Sequence, residues 1–124
     1  KLMAFRFRKF KVYQDAKLLH REIVITVNKF PREYYYLIDQ IKRSSLSIIL
    51  NIAEGSSKQS DKDFNRFISI SLGSVDETVA ILEIAFDSNL INLKQFEKFQ
   101  NELEEISNQL GAFSKSLRNK SYEL

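Results

Sequence analysis

The chain has 124 residues, one histidine (His20) and no cysteine. That inventory closes most catalytic routes at once. Without Cys there is no thiolate nucleophile, disulfide or thiolate metal site. Structural zinc needs a full set of Cys and His ligands, and a di-iron bundle needs Glu-x-x-His on two helices; neither set is present. His20 has no Gly-x-Ser-x-Gly elbow to serve and reads as a half-exposed helix residue. The run NIAEGSSK at 51–58 lacks the spacing and preceding strand of a phosphate-cradling loop. Glu102, Glu104 and Glu105 form an acidic run of the kind that faces solvent. No metal, cofactor or small-molecule substrate is expected, and no enzymatic activity.

Two constellations remain. The first is a polar stripe of Gln40, Arg43, Ser44, Ser47, Asn51 and Glu54, closed by Gly55. These residues hydrogen-bond well but include no nucleophile–base pair. A seam that fixes register between helices or subunits is favoured over a ligand groove. The second is basic. Lys1, Arg6, Arg8, Lys9 and Lys11 fall within residues 1–11 with no acid among them. Lys42 and Arg43 follow, and Lys115, Arg118 and Lys120 close the chain. Residues 61–90, by contrast, set Lys62 and Arg66 against Asp61, Asp63, Asp76, Glu77, Glu83 and Asp87. Clustered cations attract phosphate, and Phe5, Phe7 and Phe10 between them can stack bases. The other reading is a solvated tail whose aromatics pack on the rest of the protein.

The elements that carry these residues are helices. Three glycines and one proline leave few turns. Val12, Tyr13, Ala16, Leu19, Ile23, Val24, Val27 and Phe30 recur at three and four residues, predicting a helix over 12–29 that Pro31 stops. A second helix is expected over 36–54, with Gly55 as the left-handed residue after its end. A third opens at Ser60, with Asp63 completing a short-acid capping box, and runs to 87. Asn92 with Gln95 three residues on opens a fourth, striped by Phe96, Phe99, Leu103, Ile106, Leu110, Phe113 and Leu117. Short connections make neighbours antiparallel. The expected fold is an all-α, up-and-down four-helix bundle over 12–119. A flexible or extended basic arm precedes it at 1–11, where FRFRKF alternates at period two, and a tail follows at 120–124. Gly73 is expected to let two helices approach closely. Met3 is the expected natural start, and KLMAFRFRKF lacks the apolar run of a signal peptide. No run is long enough to span a membrane, and the absence of Cys fits a cytoplasmic protein.

The second helix is apolar over too much of its circumference. Leu37, Ile41, Ile48 and Ile52 make a core face; Ile38, Leu46, Ile49 and Ala53 widen it, and Leu50 lies further round. The arc is about 200°, roughly twice what one bundle face needs. On the third helix Ile70, Ile81 and Ile84 likewise lie off the core stripe. Ile38, Leu46, Ile49, Leu50, Ile70, Ile81 and Ile84 are therefore the expected subunit contact of a homo-oligomer. A well-filled core with a few stray surface residues is the alternative.

The run QIKRSSLSIILNIAEG at 40–55 resembles the signature of the bacterial four-helix-bundle proteins encoded in intervening sequences of 23S rRNA genes, also called ribosomal-protein-like. The likeness extends to VYQDA at 12–16, FP at 30–31 and DFNRFISISLGSVDE at 63–77. Ser44 and Ser45 stand where small apolar residues are commoner, and Ile49 where proline is frequent. The resemblance implies a barrel-shaped homopentamer without known enzymatic activity. Accessory proteins of diversity-generating retroelements share the fold, and for them it implies nucleic-acid binding and partnership with a reverse transcriptase. The expected function is a non-enzymatic oligomer that associates with RNA or DNA through its basic surface. The alternative is a scaffold for protein partners with no nucleic-acid role.

Overall fold

The structure is a computed structural model that describes residues 4–123, with side chains through residue 119. It is all-helical: α1 spans Lys11–Val27, α2 Tyr35–Ser56, α3 Asp61–Asp87 and α4 Leu93–Glu123. One-turn 3-10 helices sit at Arg6–Lys9 and Arg32–Tyr34. Each helix packs on its neighbours in chain order, and α4 closes back onto α1. Side-chain pairs show the directions. Ser44 meets Thr78, Ser47 meets Ser74 and the Ile48 carbonyl accepts from Ser71, so α3 descends as α2 rises. Phe64 against Phe113 and Phe86 against Phe96 give the same sense for α3 and α4.

Local chemistry sets the helix ends. The Ser60 hydroxyl accepts from the Asp63 amide at 3.0 Å. Asn92 and Gln95 form a reciprocal box, each side chain accepting the other's amide at 2.8 and 2.9 Å. Each such cap is worth about 1 kcal/mol. The left-handed residue falls at Asn89 (φ 61°), after α3, where the Leu90 amide reaches back to the Ala85 carbonyl at 2.9 Å. Asn tolerates that conformation better than most residues.

Gly55 does not occupy such a position. It is buried inside α2, which runs on to Ser56, and no glycine has a positive φ. A Cβ there would lie 2.8 Å from Phe67 Cβ and 3.0 Å from Phe64 Cδ1, so Gly55 is a point of very close approach between α2 and α3. Gly73 faces open space, with nothing within 4 Å of where a Cβ would stand, and permits no close approach. The serines around α2's end satisfy its last carbonyls instead: Ser56 donates to Ala53 and Ser57 to Glu54, both at 2.7 Å. α4 is longer than expected, at 31 residues, and its helical backbone continues to Glu123, into the segment expected to be a tail.

The core runs the length of the bundle. Ile23, Ile52, Ile68, Leu103 and Leu110 are wholly buried, each side chain contributing about 1.5–3 kcal/mol on removal from water. Ile38, Ile49 and Ile81, expected on a subunit contact, are buried in this same core. They sit at its flanks, where α2 and α3 need apolar residues to meet their neighbours within one chain. Leu46, Leu50, Ile70 and Ile84 do stay exposed. No helix among the described residues is long and apolar enough to cross a membrane.

Candidate nucleic-acid interface

The polar stripe of α2 lies largely against α3. Gln40 donates to Glu77 at 2.6 Å, Ser44 pairs with Thr78 at 2.8 Å, and Ser74 donates to Ser47 at 2.8 Å. Asn51 closes on Ser47, donating to its carbonyl and hydroxyl at 2.9 and 3.0 Å. Arg43 pairs within the helix with Asp39, and Glu54 pairs with Lys58 just beyond its end. Among the described residues, no buried side-chain polar atom lacks a partner. A stripe so satisfied has little left to offer a ligand.

His20 reaches this helix from α1. The Ser45 hydroxyl donates to the Ile41 carbonyl at 2.8 Å, so it accepts from His20 Nδ1 at 2.7 Å. Burial, then the nearby Lys42 charge, holds the imidazole pKa below its ordinary value. The unfolded chain therefore takes up this proton first on acidification. The stability contribution is complete above about pH 6.5 and is lost as pH falls from there through the folded pKa. The melting temperature is expected to drop between about pH 7 and 5, and less so in His20→Gln. Equal drops in both proteins would assign the effect to other groups.

The basic residues divide. From Ala4 on, the N-terminal arm is not extended: it folds into the Arg6–Lys9 3-10 helix and docks at the end of the bundle, while Lys1 lies outside the described residues. Its period-two pattern is overridden by tertiary anchors. Arg6 Nε donates to the Ser56 carbonyl at 3.0 Å, placing a cation at the negative end of the α2 dipole. The Arg6 guanidinium also lies 5.3 Å from the Phe64 ring centre. Phe7 packs edge-on to Tyr13 at 4.9 Å, and Phe10 packs on Phe113 at 5.2 Å. These two rings are used in packing and are not free to stack bases; Phe5 remains exposed. Lys11 bridges Asp15 and Glu105, which raise its pKa through hydrogen bonding to Asp15 first, so its charge is locally answered. Lys42 and Arg43 sit part-way along α2, away from the arm.

The antiparallel course brings the start of α1, the turn between α2 and α3, and the last turns of α4 to one end. Arg6, Arg8, Lys9, Lys115 and Arg118 thus share that end with Lys58, Lys62 and Arg66, the last two drawn from the net-acidic stretch 61–90. Lys58 and Arg66 pair locally with Glu54 and Asp63. Among the described residues, Arg8, Lys9, Lys62, Lys115 and Arg118 have no ion pair. The Lys120 side chain lies outside the described residues. Asp76, Glu77, Glu83 and Asp87 follow α3 toward the other end, so the bundle is polarised along its axis. The turn cations were findable from sequence, because four antiparallel helices oblige the second turn to meet both chain ends. Among the described residues, no cluster of three His, Cys, Asp or Glu side chains is placed to hold a metal ion.

Fold and surface together define an all-helical bundle protein with one cationic end. The chain belongs to the 23S rRNA-intervening sequence protein family, which matches residues 8–112. It is also similar to a crystal structure of a protein with unknown function from the S23 ribosomal protein family of Bacteroides thetaiotaomicron VPI-5482. The two are 30% identical with a TM-score of 0.77, over 84% of this chain and 98% of that one. None of the curated proteins matches this chain. The family match leaves Phe5, Arg6, Lys115 and Arg118 outside it.

Proposed function

We propose that this protein is a non-enzymatic homo-oligomer that holds nucleic acid, chiefly RNA, against its basic end. The observation that carries the reading is the pooling there of cations from three separate parts of the sequence, most of them exposed and without an ion pair among the described residues. Phosphate attraction scales with the number of cations that can reach the backbone together. A homo-oligomer repeats the +3 of one chain in every subunit and raises that attraction further. Leu46, Leu50, Ile70 and Ile84 on the outer sides of α2 and α3 are the proposed contact between copies; five copies is the number the family resemblance implies. The contact to RNA needs no base-specific group, so little sequence preference is expected.

The test is binding of a labelled structured RNA across a salt series. The association constant is expected to fall steeply and log-linearly with salt. Absence of binding at about 50 mM salt overturns the reading and leaves a scaffold for protein partners. Light scattering checks the assembly, and a stable monomer at micromolar concentration overturns it.

A further inference from the structure

We propose that the cavity between the N-terminal 3-10 helix and the α2–α3 turn takes one unpaired nucleotide of a single-stranded nucleic acid. The proposal rests on the reading of the basic end as a nucleic-acid surface and names what that surface selects. The cavity measures about 630 Å³, within the roughly 300–1,000 Å³ of small-ligand sites. Phe5, Arg6 and Phe7 form one wall; Lys58, Gln59 and Asp61 contribute to the other.

The walls carry the parts of a base-stacking site. Phe5 is 62% exposed at an end where every other phenylalanine is at least half-buried. Its backbone is left-handed, φ 57°, a conformation that L side chains rarely adopt. Phe7 stands edge-on to it at 6.3 Å, and the Arg8 guanidinium lies 4.9 Å from its ring centre. The guanidinium lies over one face of the Phe5 ring, which leaves the opposite face to stack a base while the cation draws in its phosphate. Two more cations line the cavity and are held in place. Arg6 is tied to the Ser56 carbonyl, and the Lys58 ammonium sits 5.0 Å from the Phe67 ring centre. Gln59 has an amide able both to donate to and accept from a base edge. Asp61 repels phosphate from its corner and suits a sugar hydroxyl or a base amine. Bases in a duplex are stacked on one another and have no free face to give, so a site of this make selects single strands.

The chain contains no tryptophan, so Phe5→Trp installs a lone fluorescent reporter at the cavity. An oligoadenylate of about ten nucleotides is expected to quench it, and an RNA duplex of equal length is not. Phe5→Ala is expected to weaken oligoadenylate binding about tenfold while leaving duplex affinity and the salt slope as they were. The ring is exposed, so its removal spares the core, and circular dichroism verifies the fold. Unchanged oligoadenylate affinity in Phe5→Ala, or equal quenching by the duplex, overturns the nucleotide site while the basic end stands. Failure of the parent protein to bind either nucleic acid overturns both.

Discussion

Reversing Arg8, Lys62 and Arg118 together to glutamate flattens the salt dependence of nucleic-acid binding by about three units of slope, at roughly 0.9 for each phosphate no longer neutralised. The three residues come from the 3-10 helix, the first turn of α3 and the last turns of α4, and each is exposed without an ion pair among the described residues. Reversal at Lys29, Lys42 and Arg43 changes the net charge by the same amount. Those positions lie at the far end and along α2, and Arg43 is already answered by Asp39 at 3.0 Å. The slope is expected to survive that control. If charge acted only through the net total, the two triple variants would lose affinity equally; that result would dissolve the basic end as a site. Measured slopes distinguish the cases better than a single affinity, because the electrostatic share of binding shifts with every change of buffer.

The second large effect concerns packing. Gly55→Val is expected to destabilise the bundle by about 3 kcal/mol, and Gly55→Ala by about 1. Alanine in place of a helical glycine brings about 1 kcal/mol of backbone advantage. Here overpacking exceeds it, since the nearest neighbour is Phe67 Cβ at 2.8 Å. That atom is bonded directly to the α3 backbone, so no rotamer change moves it aside and α3 itself must shift. Gly73 is the matching control. It lies inside α3, is exposed, and has an open Cβ position; Gly73→Ala is expected to raise stability by about 0.5–1 kcal/mol. Thermal melts by circular dichroism should move in opposite directions for the two alanine variants. A stabilised Gly55→Ala would show that α2 and α3 have slack at this contact.

These two glycines also mark how far a linear reading reaches. Gly55 stands where a helix ordinarily stops and Gly73 stands mid-helix among serines, so local rules make one a terminator and the other a packing residue. The fold exchanges the roles. Whether a missing Cβ matters depends on what lies opposite, and Phe64 and Phe67 are about ten residues away in sequence. The same limit separates Leu46, Leu50, Ile70 and Ile84 from Ile38, Ile49 and Ile81. All seven lie off the core stripes, but how far a flank is covered depends on the width and angle of the neighbouring helix.

What the sequence determined by itself is what local physics controls: four amphipathic helices, their order, the end of the first ahead of Pro31, and the caps at Ser60 and Asn92. Periodicity and capping act over three or four residues, so they are written where they operate. Tertiary structure decided the rest. It folded the arm onto α2's carboxyl end, used Phe7 and Phe10 as packing, and left Phe5 outside. It also gathered Lys58 and Lys62 with the basic residues near both ends of the chain into one cationic end. Charge acts through space over about a Debye length, near 10 Å, and only the antiparallel course of the helices decides which cations fall within that distance of one another.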